Sequence, residues 1–302
     1  IIKAAAQCIS ENICEPILLG HEERIEAVKE ELGLEFDCET IDVRYDPRRR
    51  GSYADEFHKI RGRKGVTVED AVRLMKSTTY FGSMMVHMGD ADGYLGGVAH
   101  HYPDIVKPCL QTIGPAPGTH RIVGMYMMTV NGQLMFIGDA TINIYPDART
   151  LAEIAIQTAK VARRFGVTPK VAMLSFSNFG TSGEMRTDRI EEAIAIAREM
   201  QPDLCIDGPM QADTALIPEI QKNYPFMEFD GPANVLICPN LTSANIAYKL
   251  LQRIAGAEMT GPILEGLAKP AHVLQRNDSV REVVHMAAIC AVDAQRYAKQ
   301  RL

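Results

Sequence analysis

The alternation of short apolar runs with amphipathic helical stretches most limits what this chain can fold into. Runs that suit buried strands lie at 16–20, 83–89, 170–175, 204–207 and 234–238. Between them, apolar residues recur at the i, i+3, i+4, i+7 spacing that places them on one face of a helix. Strands that alternate with helices predict βαβ units and a largely parallel sheet, and therefore an α/β fold.

Three stretches show the helical spacing clearly, and each is expected to bury one apolar face. The residues predicted to face the core are Leu151, Ile154, Ala155, Thr158, Val161 and Ala162 in the first, Ile190, Ala193, Ile194, Ala197 and Met200 in the second, and Ile246, Ala247, Leu250, Leu251 and Ile254 in the third.

One segment interrupts the alternation. Two strand-like runs, 120–130 and 133–140, are joined by Asn131-Gly132. Asn-Gly is a strong hairpin signal because a type I′ turn requires positive φ at both positions. An antiparallel hairpin within an α/β chain predicts a mixed sheet. A chain of 302 residues is expected to form about two domains, and the hairpin lies where the second could begin.

Composition excludes several classes of function. A net charge of −6 argues against nucleic-acid binding, because the chain has no excess of basic residues to neutralise phosphates. No apolar run approaches the roughly 20 residues that span a bilayer. The seven cysteines contain no CxxC pair, which predicts reduced thiols in a cytoplasmic protein and no metal site. The chain starts within a helical pattern without a Met, so we interpret it as cut from a longer protein or trimmed at a disordered end.

The segment 170–183 combines a strand, a loop rich in Ser and Gly, and the start of a helix. Backbone N–H groups at a helix N-terminus form an anion site, and small residues allow close approach. The alternative is an ordinary connection between a strand and a helix. The residues expected to contact phosphate are Ser177, Asn178, Gly180, Thr181 and Ser182.

The segment 261–282 carries more polar groups than a simple connection needs. Arg276 lies on a loop rich in Gly and Pro, where its guanidinium is suited to bind phosphate or carboxylate. Ser279 and Glu282 fit the S-x-x-E capping box that opens a helix. The capping box therefore explains Glu282 by a structural role. No comparable structural role explains Arg276.

Five runs of the chain together resemble the phosphate acetyltransferase/butyryltransferase family over essentially the whole length. They are 91–97, 136–148, 170–180, 233–253 and 261–274. Within the family, the tract 163–182 is similar to the phosphotransacetylase-like C-terminal domain of bacterial NADP-dependent malic enzymes.

The resemblance implies two α/β domains, like those of isocitrate and isopropylmalate dehydrogenases, with coenzyme A in the cleft between them. The first domain would comprise residues 1–114 and 276–302 and would lack the family's first strand. The second would comprise residues 115–275. The resemblance also implies a homodimer or a higher homo-oligomer.

The resemblance also implies site residues. In the family, an aspartate acts as base toward the thiol, an arginine holds phosphate or the carbonyl, and a serine stabilises the transition state. The arginine matches Arg276, whereas the serine position holds Gln275 and the aspartate position holds Glu282. A second family arginine matches Lys107. Lys269, in the GLAKP run, is also expected to contact acetyl-CoA or phosphate.

Three of these four family positions are substituted, which predicts weakened catalysis. Gln275 has no hydroxyl, and Lys107 cannot form the bidentate contacts of arginine. We therefore expect a regulatory domain that binds acetyl-CoA as an effector without transferring its acetyl group. An N-terminal malic enzyme domain of the same polypeptide would convert malate to pyruvate with NADP and Mg²⁺ or Mn²⁺. The alternatives are an active phosphate acetyltransferase or butyryltransferase, and an oligomerisation module without a ligand.

Overall fold

The computed structural model describes residues 1–180 and 188–299. The elements are, in chain order, α1 (Ile2–Ser10), β1 (Ile17–Leu19), α2 (Glu22–Leu32), β2 (Glu39–Ile41), α3 (Pro47–Arg61), α4 (Val68–Leu74), α5 (Thr78–Met88), β3 (Tyr94–Gly96), α6 (Tyr102–Thr112), β4 (Val123–Val130), β5 (Gln133–Gly138), α7 (Ala148–Arg164), β6 (Val171–Leu174), α8 (Asp188–Met200), β7 (Ile206–Met210), α9 (Ala212–Leu216), α10 (Pro218–Gln221), β8 (Val235–Ile237), α11 (Leu241–Ile254), β9 (Glu258–Glu265), β10 (Ala271–Val273) and α12 (Val280–Lys299). No helix within the described residues is both long and apolar enough to cross a membrane.

The chain forms two compact units. The first comprises Ile1–Pro117 and Leu267–Leu302, and the second comprises Gly118–Gly266. The predicted change of domain at 275/276 lies too late in the sequence. The boundary lies earlier because β10 (Ala271–Val273) pairs in parallel with β3 of the first unit, so these residues already belong to that unit.

The first unit is built on two small parallel sheets, β1–β2 and β3–β10. Helices α3, α4 and α5 pack together around a cluster of buried aromatic and Met side chains, which includes Phe57, Phe81 and Met84. Helix α1 packs against α12. The α/β class predicted for this part of the chain is confirmed, although its strands are short.

The run 83–89 is a helix, and the strand predicted there is wrong. Residues 83–88 belong to α5, and Gly89, with a φ of 90°, caps the C-terminus of that helix. Every residue from Thr79 to Val86 is buried. A helix buried on all sides shows no amphipathic spacing, so its apolar run cannot be distinguished from that of a buried strand.

The second unit contains a six-stranded mixed sheet in the order β7-β6-β8-β5-β4-β9. The four strands from β7 to β5 are parallel, and β4 pairs antiparallel with both β5 and β9. The predicted hairpin is confirmed: Asn131 and Gly132 have φ values of 49° and 76°, as a type I′ turn requires.

The predicted apolar faces hold for two of the three helices. Helix α7 buries all six of its predicted residues. Helix α8 buries four of its five, and Met200 is exposed. The prediction for α11 holds only in part: Ala247 and Leu251 pack against the core, whereas Ile246, Leu250 and Ile254 are 54%, 51% and 80% exposed. Apolar residues lie on two faces of α11, so their spacing alone could not show which face meets the sheet. The face that does so carries Ala244 and Tyr248.

Candidate functional site

The loop between β10 and α12 is anchored to the end of β3. The backbone N–H of Leu274 donates to the Gly96 carbonyl at 2.8 Å. At Gly97, where φ is +144°, an added Cβ would lie 1.9 Å from the Leu274 carbonyl oxygen. Only glycine allows this approach, so β3 and its glycines fix where the loop begins.

Two hydrogen bonds close the loop into a tight turn. The Gln275 N–H donates to Oδ2 of Asp278 at 2.6 Å, and the Asp278 N–H donates to the Gln275 carbonyl at 3.2 Å. Arg276 and Asn277 form the exposed tip. Within residues 1–180 and 188–299, Arg276 forms no hydrogen bond or ion pair. Its guanidinium is therefore available for an anion.

The capping box predicted at the start of α12 is confirmed. The Ser279 N–H donates to Oε2 of Glu282 at 2.6 Å, and the Glu282 N–H donates to Oγ of Ser279 at 3.2 Å. One carboxylate oxygen of Glu282 is therefore engaged at the helix N-terminus, in addition to any role it has toward a substrate.

Asp278 is a candidate that the sequence analysis missed. Burial raises the pKa of Asp278 to about 6; the charge of Glu282 acts in the same direction, and the hydrogen bond from Gln275 opposes both. A group that titrates near neutrality next to a free arginine is typical of sites of proton transfer. The available signal was an acidic residue directly before the capping serine, but that position is also ordinary for a turn.

The two predicted lysines of the first unit differ in their surroundings. The Lys269 ammonium donates to the carbonyls of Val86 and His87 at 2.6 and 2.9 Å, at the C-terminus of α5, where the helix dipole favours a cation. Lys107 is exposed on α6 and has no partner among the described residues. Lys107 is thus the freer of the two to bind a ligand.

The loop after β6 lies in the second unit and is held by β7 and the residue that follows it. Asn178 is buried: its Oδ1 accepts from the Gln211 N–H at 2.8 Å, and its Nδ2 donates to Oε1 of Gln211 at 2.9 Å. Ser177 is also buried. Gly180 has a φ of 74°. The other two predicted residues of this loop, Thr181 and Ser182, lie outside the described residues.

Phe179 gives this loop a fixed shape. It has a φ of 49°, which is unfavourable for a bulky residue. Its N–H donates to the Pro209 carbonyl at 2.6 Å, and its ring packs against Tyr224 and Phe226 at centroid distances of 5.1 and 4.9 Å. Strained backbone persists where packing holds it, often at binding sites.

The predicted residues therefore fall into two groups, each within one unit. The first unit holds Lys107, Lys269, Gln275, Arg276 and Glu282, and the second unit holds Ser177, Asn178 and Gly180.

Comparisons with known proteins agree over nearly the whole chain. The family model "Phosphate acetyl/butaryl transferase" matches residues 1–291. A phosphate acetyltransferase from Corynebacterium glutamicum is 39% identical, over 97% of this chain and 90% of that protein. The phosphate acetyltransferase of Bacillus subtilis is 37% identical, over 97% of this chain and 91% of its own length.

A solved structure is also similar. A phosphotransacetylase from Streptococcus pyogenes superposes with a TM-score of 0.92 at 37% identity, covering 98% of this chain and 91% of that one.

These matches correct the prediction of a malic enzyme. Relatives similar along nearly their whole length are phosphate acetyltransferases, so the predictions of a malic enzyme and of an oxidoreductase are wrong. The NADP, the divalent metal and the malic enzyme domain expected with them have no support. The tract 163–182 wrongly indicated a malic enzyme. It runs from α7 through β6, a segment that the fold itself requires, so its similarity does not identify the reaction.

The prediction that the chain does not transfer acetyl groups is overturned by the same matches, which favour the alternative of an active phosphate acyltransferase. The family model covers nearly all of the chain, and the fold agrees with that of the solved phosphotransacetylase. The chain belongs to the phosphate acetyl/butyryl transferase family.

Proposed function

We propose that this chain is a phosphate acetyltransferase, which transfers an acetyl group between the sulfur of coenzyme A and inorganic phosphate. The observation that carries this proposal is its similarity, over 97% of the chain, to the phosphate acetyltransferase of Corynebacterium glutamicum. The turn that presents Arg276 supports it, because a free guanidinium at the tip of an anchored turn is suited to phosphate.

The proposed reaction needs a bound anion, a stabilised oxyanion and a proton carrier. A phosphate oxygen attacks the thioester carbonyl carbon, the C–S bond breaks, and the proton that the attacking phosphate gives up passes to the CoA thiolate. Arg276 and Lys107 bind the phosphate by charge. Gln275 replaces the family's serine and offers an amide N–H toward the oxyanion, a weaker arrangement that lowers the rate without changing the reaction.

Acetyl-CoA is the proposed substrate, and the loop after β6 is proposed to contact its phosphates. Because both ends of the Asn178 side chain bind Gln211, Asn178 shapes the loop and its neighbours make the contacts. Ser177, Gly180, Thr181 and Ser182 remain the proposed contacts.

A homodimer is proposed as the assembly. Ile246, Leu250 and Ile254 form an exposed apolar stripe along α11, at a spacing of four residues. Large apolar side chains that lie together on a surface mark an interaction site. A second copy of the chain is the proposed occupant, because two identical stripes related by a two-fold axis cover each other.

The proposal is tested by steady-state assays with Arg276→Ala. We expect the wild-type chain to form acetyl phosphate from acetyl-CoA and phosphate, and Arg276→Ala to lose about 10²-fold or more in kcat/KM. Arg276→Lys should recover part of the loss, since it restores the charge without the bidentate contact. Arg24→Ala, at an exposed arginine of α2, is the matched control and should leave the rate unchanged. Wild-type activity in Arg276→Ala would contradict the role of Arg276.

A further inference from the structure

We propose that Tyr145 and Phe176 bind the adenine base of acetyl-CoA by stacking against it. The inference rests on the proposed function, because it concerns the nucleotide end of the same substrate. It assigns a role to two aromatic side chains of the second unit that the acetyl-transfer chemistry does not use.

Both aromatic rings are open to solvent. Tyr145 is 78% exposed and Phe176 is 56% exposed. Within residues 1–180 and 188–299, neither ring packs against another aromatic ring, and the Tyr145 hydroxyl has no hydrogen-bond partner. Ile144, directly before Tyr145, is exposed as well. Large apolar side chains that lie together on a surface mark a binding site, whereas single ones do not.

The backbone around Tyr145 is held on both sides. The Asn143 N–H donates to Oδ2 of the buried Asp139 at 2.9 Å. Pro146, the next residue, is buried and has a fixed φ, and Asp147 caps the N-terminus of α7. Tyr145 is therefore exposed at a fixed position in the fold. A ligand that binds there orders little additional chain, which lowers the entropic cost of binding.

The order of the strands brings the two residues to the same edge of the sheet. Phe176 follows β6 and Tyr145 follows β5, and β8 lies between these two parallel strands. The Leu241 N–H donates to the Ile144 carbonyl at 3.2 Å, which ties the loop after β5 to the start of α11, the helix that follows β8. Because β8 is the neighbour of β6, this bond holds Tyr145 on the side where Phe176 lies. Open α/β sheets bind ligands at this edge.

The groups next to the two rings suit the phosphates of a nucleotide. Ser177 and Gly180, already proposed to contact phosphate, directly continue the loop of Phe176. Arg189 of α8 donates to the Pro239 carbonyl at 2.9 Å, just after β8, and forms no ion pair in the described part of the chain. A cation suits phosphate, and an aromatic face suits a base. The adenosine bisphosphate end of CoA presents both.

A nucleotide base fits this surface better than a second copy of the chain does. A stable protein interface buries about 800 Å² on each partner and is apolar at its centre. The two rings are bordered instead by a Ser- and Gly-containing loop and by Arg189. The exposed stripe on α11 remains the proposed contact between copies.

The test compares two substrates, acetyl-CoA and acetyl-4′-phosphopantetheine, which has the same thioester but no adenosine. We expect Tyr145→Ala and Phe176→Ala each to raise the KM for acetyl-CoA about tenfold, because each removes one stacking face. The change in kcat should be much smaller, and the KM for the truncated substrate should not change. Tyr145→Phe retains the ring and should recover most of the lost affinity.

Tyr45→Ala is the matched control. Tyr45 lies in the first unit and is also 78% exposed, so its removal deletes an equally exposed ring elsewhere on the chain. We expect Tyr45→Ala to change the KM of neither substrate.

A second measurement separates this inference from the proposed function. Calorimetry with adenosine 3′,5′-bisphosphate, which has no thioester, reports binding of the nucleotide end without acetyl transfer. We expect the wild-type chain to bind it and Tyr145→Ala to bind it about tenfold more weakly. A wild-type chain that shows this difference but transfers no acetyl group would overturn the proposed function and support the inference.

Three results would overturn the inference. In the first, both alanine variants keep the wild-type KM for acetyl-CoA. In the second, they raise the KM of both substrates equally, so the rings do not contact the base. In the third, Tyr145→Ala binds the bisphosphate as wild type does but has a smaller mass by light scattering, which would show that the ring contacts a second copy.

Discussion

At the scale of single residues, Asp278 should make stability depend on pH. Its pKa in the folded chain, about 6, lies above the ordinary value near 4 of an unfolded chain. Its favourable contribution is therefore complete below about pH 4 and is lost as the pH rises through 6. Asp278→Asn has no carboxyl to ionise and does not lose this stability. The difference in melting temperature between Asp278→Asn and wild type should therefore increase from pH 5 to pH 8.

Asp70→Asn is the control for this measurement. The Arg73 guanidinium lowers the pKa of Asp70, so Asp70 stays ionised in both the folded and the unfolded chain above pH 5. Its melting-temperature difference should not change between pH 5 and pH 8. Equal behaviour of the two variants would show that Asp278 has an ordinary pKa.

The sequence predicted the residues whose roles are local. The capping box of Ser279 and Glu282 depends on a spacing of three residues, and Arg276 was recognised from its glycine-rich and proline-rich surroundings. Asp278 could not be recognised in this way, because its role depends on burial and on closure of the turn onto Gln275. Neither property follows from residue type or spacing.

At the scale of elements, Asp139 should hold the segment that follows β5. Its buried carboxylate accepts four backbone N–H bonds, from Gly124, Thr141, Ile142 and Asn143, at 2.9–3.2 Å. Asp139→Ala leaves these donors without their acceptor, and we expect it to lower the free energy of unfolding by about 3–5 kcal/mol. Urea denaturation measures this loss.

Asp147→Ala is the matched control, because Asp147 only caps α7 through the Thr150 N–H at 2.8 Å. Its loss should be about 1 kcal/mol. If both variants cost the same, the four bonds to Asp139 do not act as a structural centre.

The elements predicted correctly are those with a strong local signal. The hairpin was predictable because Asn131-Gly132 permits a conformation that few other pairs adopt. Helix α5 was not, because burial on all sides removes the helical spacing. The orientation of α11 depends on which of its two apolar faces meets the sheet, and that choice is made by tertiary packing.

At the scale of the whole molecule, the stripe on α11 should control assembly. Ile246→Glu combined with Ile254→Glu places charges in the proposed contact, so we expect the mass measured by light scattering to fall from that of a dimer to that of a monomer. Met200→Glu changes an exposed apolar residue on α8 and should leave the mass unchanged. A wild-type monomer, or a double variant that remains a dimer, would contradict the proposal.

The α/β class and the family were predictable at this scale because the supporting runs extend along the whole chain. The reaction was not, because a resemblance in segments that the fold requires does not identify the chemistry. The substitution at Gln275 also suggested that catalysis is lost. Residue type alone does not show that the turn still presents Arg276 and that Asp278 lies in the same turn.

The most direct measurement of the central claim is CoA release from acetyl-CoA by the purified wild-type chain, with and without phosphate. We expect release that requires phosphate and equals the acetyl phosphate formed, at a turnover within reach of ordinary enzymes, on the order of 10 s⁻¹ or somewhat below. Folded protein that releases no CoA, or releases it equally without phosphate, would contradict the assignment as a phosphate acetyltransferase.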